Sequence, residues 1–222
     1  MIALYAIFRI VVINLVLSGD NAVVIGLAAH RLPLRQRRIA IFTGGAVAVL
    51  LRIVLTATAA LLLQITGLQF VGGMLLIWIA FKLLKEEEES KEGVPIAGGM
   101  REAIVTILVA DFIMSTDNVL GVAAASGGDL RLLVFGLIMS MAIVMWMGSL
   151  VAELINRFWW LSYVGAAVIA WTGAMMMFDD RFVTERAEWL SRWVAYLSAA
   201  VITIAVTAFA HWFHRMRPSR EG

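Results

Sequence analysis

The sequence contains no cysteine, so disulfides, thiolate metal sites and cysteine nucleophiles are excluded. Its three histidines, His30, His211 and His214, lie at or near the ends of apolar runs, and none falls in the middle of one. The phosphate-loop pattern G-x-x-x-x-G-K-[ST] is missing, as are the H-E-x-x-H and G-x-S-x-G motifs. These absences argue against an ATPase and against metalloprotease or serine-hydrolase chemistry.

Apolar side chains, by contrast, dominate the composition. Of the 222 residues, 62% are hydrophobic, and the mean hydropathy is +0.90. Soluble domains are about 45–50% apolar, so this composition is that of an integral protein of the lipid bilayer. The net charge of +2 is too small to indicate a nucleic-acid partner. A signal peptide has a basic region, a short apolar region and a cleavage site in that order, and the first residues do not show this order. We therefore expect residue 1 onward to belong to the first span.

Seven apolar runs are each long enough for a transmembrane helix, which needs ~20 residues. We therefore predict an all-α membrane protein with a single transmembrane domain over residues 1–222. The predicted spans cover residues 2–29, 39–63, 67–84, 101–125, 131–155, 160–178 and 193–213.

Basic residues are concentrated on alternate connections. The connections after the first, third and fifth spans and the C-terminal tail carry most of them, whereas the opposite side carries only Arg131, Arg181, Arg186 and Arg192. The positive-inside rule then puts the N-terminus outside and the C-terminus in the cytoplasm. Residues 85–100, which include the acidic run K-E-E-E-E-S-K-E, are predicted to form a flexible cytoplasmic linker. A solvated charge run explains this segment better than a role in concentrating cations.

One polar motif occurs twice inside the predicted spans. Residues 14–21 read N-L-V-L-S-G-D-N, and a shift of 97 residues brings them onto residues 111–118, which read D-F-I-M-S-T-D-N. A second similarity relates residues 68–78 to residues 161–171. The first three spans therefore resemble the next three. We predict two three-helix repeats, over residues 1–84 and 101–178, and an extra C-terminal helix over residues 193–213.

Three spans is an odd number, so the second repeat would enter the membrane from the opposite side. Inverted repeats of this kind are typical of secondary transporters, which bind their substrate near the bilayer midplane. A duplication without functional meaning is the alternative. The retention of the polar motif in both halves favours the functional interpretation.

The motif places carboxylates, amides and hydroxyls where hydrocarbon is expected. A charge at the bilayer centre costs roughly 2.5–3.5 kcal/mol, so three intramembrane aspartates favour a cation or proton site. Oxygen ligands suit Mn²⁺, Ca²⁺ or Mg²⁺. The neutral residues have an alternative role, in which they join helices through interhelical hydrogen bonds. The candidate ligands are Asp20, Asp111, Asp117, Asn14, Asn21, Asn118, Ser18 and Ser115.

On an ideal helix, at ~100° per residue, each motif presents its first residue, its serine and its last asparagine on one face. Asp20 and Asp117 point elsewhere. These groups converge only where the helix deforms, or else the two aspartates face a different neighbour. Gly19 is a candidate for such a deformation because glycine tolerates unusual backbone angles, whereas Thr116 at the equivalent position does not.

Arg52, inside the second predicted span, is a counter-charge for one of these carboxylates. Two interpretations stay open: Arg52 takes part in the substrate site, or it only neutralises an aspartate. Glu153 lies near the cytoplasmic end of the fifth span, where burial of a carboxylate costs little free energy. A role in the ion pathway is therefore less favoured for Glu153.

The paired motifs resemble those of the TerC family of integral membrane proteins, and the resemblance covers nearly the whole chain. The length and the seven-span plan are most similar to the short bacterial, YjbE-like branch, which is related to LysE-type exporters. The resemblance implies manganese efflux across a bacterial inner (plasma) membrane. Carried over by position, it implies that the site contains Asp20, Asp111, Asp117, Asn21 and Asn118. The first motif begins with Asn14 and not with a second aspartate, so a family site that prefers four carboxylates would bind more weakly or select differently here.

The favoured function is a secondary transporter that exports a divalent cation, with Mn²⁺ ahead of Ca²⁺ and Mg²⁺. The ion is a substrate, no resident cofactor is expected, and the chain is not expected to be an enzyme. The alternative is a non-transporting membrane partner in metal homeostasis or in the metalation of secreted proteins. An intramembrane aspartyl protease is disfavoured because an asparagine follows each aspartate and the motifs lie on inverted repeats. A homo-oligomer is compatible with the sequence.

Overall fold

The described part of the chain consists almost entirely of helices. The computed structural model describes the backbone of residues 8, 11–12, 15, 18–62, 65–91, 99–126, 130–186 and 191–215. Side chains are described for these residues except 57, 59–62, 88–91, 117–126, 130 and 213–215. In chain order the helices are α1 (Gly19–Ala29), α2 (Leu34–Leu62), α3 (Leu68–Lys91), α4 (Gly99–Ser126), α5 (Leu130–Arg157), α6 (Leu161–Asp179), α7 (Arg181–Arg186) and α8 (Arg192–Arg215).

The all-α membrane class is confirmed by these helices. Five of them contain segments long and apolar enough to cross a bilayer: Leu34–Thr56, Leu68–Glu87, Arg131–Arg157, Leu161–Asp179 and Arg192–Trp212. Helix α1 is apolar but shorter, and α4 carries the acidic residues of the second motif. The count of seven spans and the inverted repeats stay predictions.

Two predicted boundaries need correction. Helix α3 continues to Lys91, so residues 85–91 of the predicted linker are helical; residues 92–98 lie outside the described part. Lysine and glutamate are good helix formers, and Lys82 pairs with Glu86 one turn along the same helix. Helix α2 begins at Leu34, five residues earlier than predicted, directly after Pro33. Proline is tolerated at a helix start because its missing N–H would have no intrahelical partner there. The short helix α7 was not predicted.

Helix α1 lies among four other helices. It packs mainly against α5 and also contacts α4, α6 and α2, while α2 packs mainly against α4. One buried apolar cluster joins α1 to α3, α4 and α6, and a second joins α1 to α2, α4 and α5. The large apolar side chains that remain exposed, such as Phe42, Trp78 and Trp146, are the ones available for contact with lipid.

Helices α3 and α6 form the most extensive helix pair, and their backbones touch at glycines. A methyl group on Gly73 would overlap the carbonyl oxygen of Gly173, and one on Gly173 would lie 2.7 Å from the carbonyl oxygen of Gly73. Small residues allow this close approach, which is common between helices in membranes. The α3–α6 contact therefore depends on glycine at both positions.

Asp180 joins the start of α3 to the end of α6. This carboxylate is 2% exposed and accepts backbone N–H bonds from Gly67 at 3.1 Å, Phe70 at 3.0 Å and Phe182 at 2.6 Å. Free N–H groups at helix starts need such acceptors, and a carboxylate is also favoured there by the helix dipole. Asp180 thus caps α3 and α7 together, and its role is explained without a substrate.

A buried polar site between α1, α2 and α4

The first polar motif is interrupted at Ser18. Backbone is helical at Leu15 and again from Gly19, but Ser18 is a turn residue with φ −117° and ψ 14°. The N–H of Asn21 donates to the Ser18 carbonyl at 3.1 Å, which is a bond between residues three apart. The deformation expected near Gly19 is therefore present, one residue before it. Helix α4, which carries the second motif, has no such interruption.

Asp111 lies at the centre of the site. Its carboxylate is 4% exposed. Oδ1 accepts from Arg52 Nη2 at 2.6 Å and from Asn21 Nδ2 at 2.8 Å, and Oδ2 accepts from Ser115 Oγ at 3.3 Å. A buried carboxylate needs such partners, because a charge without them is far more costly than a paired one. Asp111 is thus compensated by groups from α1, α2 and α4.

Arg52 reaches this carboxylate from α2. Its side chain is 2% exposed, and it is among the largest fully buried side chains in the described part of the chain. Besides Asp111, it donates through Nη1 to Ser18 Oγ at 2.8 Å. The predicted counter-charge therefore pairs with Asp111, and the interrupted turn of the first motif helps to hold it.

Asp20 faces a different neighbour. It sits in the first turn of α1, where the helix dipole favours a carboxylate, and it is only partly buried. Oδ1 accepts the Asn21 N–H at 3.0 Å, and Oδ2 accepts Thr172 Oγ1 of α6 at 3.5 Å, the outer limit for a hydrogen bond. The structure thus shows both expected features, an interruption of the first motif at Ser18 and a separate neighbour for Asp20 on α6.

The side-chain oxygen of Asn21 is buried without a hydrogen-bond partner among the described residues. The residue is 2% exposed, and its Nδ2 donates to Asp111. A buried carbonyl oxygen without a partner costs roughly 1–3 kcal/mol. An oxygen of this kind suits a hard cation, which prefers carboxylate, carbonyl and amide oxygens.

The structure thus brings together five of the predicted residues. Ser18, Asn21, Arg52, Asp111 and Ser115 are in contact, and Asp20 lies beside them on the side of α6. Asn14 lies outside the described residues, as do the side chains of Asp117 and Asn118.

The metal site stays a prediction. Among the described residues, no three histidine, aspartate or glutamate side chains lie close enough to hold a metal ion together. Amide, hydroxyl and carboxylate oxygens are nevertheless present in one buried place.

Two sets of polar residues were missed from the sequence. Thr172 follows the second repeated stretch directly, but a lone threonine in an apolar helix gives little signal. A second polar network surrounds His30: its Nε2 bonds Glu87 Oε2 at 2.7 Å, and its Nδ1 bonds the Leu27 carbonyl at 2.8 Å. Arg31 donates to Glu87 at 3.3 Å and to Glu86 at 2.9 Å. This network ties the end of α1 to α3, and only its three-dimensional packing reveals it.

Glu153 of α5 is exposed, and the lower expectation for a pathway role stays a prediction.

The comparisons with known proteins agree with a membrane protein of this kind. The family described as the integral membrane protein TerC family matches residues 2–219. YjbE of Bacillus subtilis (strain 168), described as an uncharacterized membrane protein, is 40% identical over 178 residues, which is 80% of this chain and 81% of YjbE. The inner membrane protein YgdQ of Escherichia coli (strain K12) is 26% identical over 169 residues, 68% of this chain and 71% of YgdQ. No solved structure matches the chain.

Proposed function

This chain belongs to the TerC family of integral membrane proteins, and we propose that it is a secondary transporter that exports a divalent metal cation, in the first place Mn²⁺. The observation that carries the proposal is the buried group of oxygen ligands around Asp111. Carboxylate, amide and hydroxyl oxygens from α1 and α4 meet there, in two segments that the sequence predicts to span the membrane. Such groups are costly at this depth, and ion pathways are the usual reason for them.

The substrate class follows from the ligand chemistry. The site contains oxygen donors and neither sulfur nor imidazole among its described residues, which suits Mn²⁺, Ca²⁺ or Mg²⁺ better than softer metals. Asn21 Oδ1 is an oxygen ligand without a hydrogen-bond partner among the residues that the structure describes. Asp20 and Asp111 supply negative charge, and Asp117 is proposed as a third carboxylate of the site.

The helix packing supports the inverted repeat that alternating access requires. A two-fold axis that exchanges the first repeat with the second would exchange the α1–α5 pair with the α2–α4 pair. It would map the α3–α6 pair onto itself. Helices α1 and α5, α2 and α4, and α3 and α6 are the pairs with the most extensive contacts. We propose that the two halves rock about the site between them.

The energy source is proposed to be the membrane potential or a proton gradient, because the sequence has no phosphate loop. The carboxylates that bind the ion are also the groups available to carry protons. An imposed pH gradient should then change the rate of Mn²⁺ exchange in vesicles. A rate of Mn²⁺ exchange that does not change with the pH gradient would contradict proton coupling. The membrane potential would then be the proposed driving force.

The direction and orientation are proposed from the charge pattern. The basic connections place the C-terminus in the cytoplasm of a bacterial inner membrane. A reporter of known sidedness on each terminus would check this arrangement.

The test of function is Mn²⁺ flux in proteoliposomes that contain the purified chain. Wild type should transport Mn²⁺, and Asp20→Asn and Asp111→Asn should lose most of the flux while keeping side-chain volume. Glu153→Gln removes an exposed carboxylate from the same membrane domain and is the matched control, which should transport normally. Competition by Ca²⁺ and Mg²⁺ would then order the three ions.

A correctly folded wild-type protein without flux would overturn the transport proposal. It would favour the alternative, a non-transporting membrane partner in metal homeostasis. Deletion of the acidic segment of residues 85–92 would then matter more than substitution of Asp20.

A further inference from the structure

The shortest hydrogen bond that Asp111 accepts in the described part of the chain comes from Arg52. Nη2 donates to Oδ1 at 2.6 Å, and Nη1 donates to Ser18 Oγ at 2.8 Å. One arginine of α2 is thus held at once by Ser18, directly before α1, and by Asp111 of α4. Both charged side chains of the pair are 4% exposed or less. A positive charge already lies on the carboxylate that the substrate ion would use.

The geometry makes Arg52 and a metal ion competitors. Asp111 Oδ1 accepts two donors, from Arg52 and from Asn21 Nδ2 at 2.8 Å, which use both of its lone pairs. A divalent ion bound to the same oxygen, at ~2.0–2.6 Å, would stand within a few ångströms of the guanidinium. Two positive charges at that separation repel strongly in a buried site. A metal ion can therefore use Oδ1 fully only if the arginine moves away.

We propose that Arg52 is a tethered substitute for the transported cation: it binds Asp111 when the carrier holds no ion, and it leaves Asp111 when an ion binds. This inference rests on the proposed transport function. Ser18 then serves to hold Arg52 in its bound position and is not itself a metal ligand.

The consequence concerns the return step of the transport cycle. A carrier without ion must change conformation with its acidic residues buried, which is costly when nothing neutralises them. Arg52 supplies the neutralising charge from inside the protein. Without it, only the ion-loaded carrier would reorient, so net export would fail while one-for-one exchange of ions across the membrane continued.

Arg52→Gln, Arg52→Lys and wild type separate these cases. For each, we would measure Mn²⁺ affinity by calorimetry of the purified protein, net efflux into Mn²⁺-free medium, and exchange of radiolabelled Mn²⁺ in proteoliposomes. Arg52→Gln should bind Mn²⁺ at least about tenfold more tightly. The repulsion between the Arg52 charge and a divalent ion ~4 Å away corresponds to more than a tenfold change in affinity, even at a high effective dielectric constant. Exchange by Arg52→Gln should persist while its net efflux falls at least about tenfold. Arg52→Lys keeps the charge and should keep net efflux.

The outcomes divide cleanly. If wild type binds Mn²⁺ and Arg52→Gln binds it more weakly, or loses exchange and net efflux together, the tethered-cation inference is overturned and transport is not. If folded wild type binds neither Mn²⁺, Ca²⁺ nor Mg²⁺, the proposed function is overturned and this inference with it.

Ser18→Ala gives an independent test, which holds even if Arg52→Gln does not fold. Loss of the Ser18 hydroxyl removes the hydrogen bond that Arg52 Nη1 donates to it and leaves the bond between Arg52 and Asp111 in place. A hydrogen bond to a charged group accounts for a change of about tenfold or more, so Mn²⁺ should bind at least about tenfold more tightly. Weaker binding in Ser18→Ala would identify the hydroxyl as a metal ligand and would overturn the inference.

Discussion

The Arg52–Asp111 pair also leads to a stability prediction that a double-mutant cycle can test. The two side chains are 2% and 4% exposed, and their closest atoms are 2.6 Å apart. With charge centres ~4 Å apart and an effective dielectric constant of ~20, their attraction is ~4 kcal/mol. Removal of one partner forfeits this attraction and leaves the other charge buried, for which measured costs are about 3–5 kcal/mol.

We therefore expect Arg52→Gln and Asp111→Asn each to lower the free energy of unfolding by about 3–5 kcal/mol. The double variant leaves neither charge of this pair and should cost no more than either single variant. The coupling energy from the cycle should then be at least ~3 kcal/mol. The measurement is unfolding in mixed micelles with increasing denaturing detergent, followed by the fluorescence of the eight tryptophans.

The chain contains a matched control pair. Arg181 and Glu185 are 2.5 Å apart at their closest atoms, but they are 66% and 53% exposed. A pair exposed to solvent contributes about 0.2–1 kcal/mol, so the same cycle at Arg181 and Glu185 should give a coupling below ~1 kcal/mol. Additive effects at Arg52 and Asp111, with a double variant as unstable as the sum of the singles, would refute the reasoning from burial.

Three further predictions concern separate parts of the molecule. Gly73→Val should abolish folding because its side chain would overlap the backbone of α6. Gly19→Ala should fold because, in the described part of the chain, the added methyl group would meet no atom within 4 Å beyond its own helix backbone and chain neighbours; gel filtration in detergent distinguishes the two. Asp180→Asn should lower the free energy of unfolding by about 1–3 kcal/mol through weaker caps on α3 and α7, and an unchanged stability would contradict the capping role. Thr172→Val should lower Mn²⁺ affinity only slightly and leave stability unchanged, since its bond to Asp20 is long; a loss as large as that of Asp20→Asn would make Thr172 a ligand in its own right.

The sequence predicted the helices well because lipid imposes long apolar runs. For most of the described helices, the first and last residues lie within a few positions of the predicted span boundaries. The boundaries that differ have local causes that a hydropathy pattern does not reveal. Helix α3 runs on to Lys91 because charged residues can be good helix formers. The correct boundary depends on helix propensity and not on hydrophobicity.

The site was predicted less completely, because sequence spacing describes faces of single helices and not their partners. Spacing grouped Asp111 with Ser115 on one helix face, and the Ser115 hydroxyl donates to Asp111 in the structure. Spacing also directed Asp20 away from Ser18 and Asn21, and Asp20 accepts a hydrogen bond from Thr172 of α6. It could not say which aspartate Arg52 would meet, since that choice depends on the packing of α2 against α4. The network between His30 and Glu87 joins residues 57 positions apart and was missed for the same reason.

The two copies of the motif are not chemically equal, and the difference follows from what surrounds them. The predicted repeat supplies an aspartate to each half, but it supplies only one arginine: the shift of 97 residues carries Arg52 onto Ser149, whose hydroxyl bonds the Met145 carbonyl of its own helix. The same shift carries Asn14 onto Asp111 and Asp20 onto Asp117, so Asp111 and Asp20 are not equivalent positions of the repeat, and a single arginine cannot neutralise both equally. Arg52 pairs with Asp111, and Asp20 is left with a backbone N–H and a distant threonine. Asp20 is therefore the carboxylate that an incoming ion can reach without displacing a positive charge, so we expect binding to begin at Asp20 and to reach Asp111 only as Arg52 withdraws.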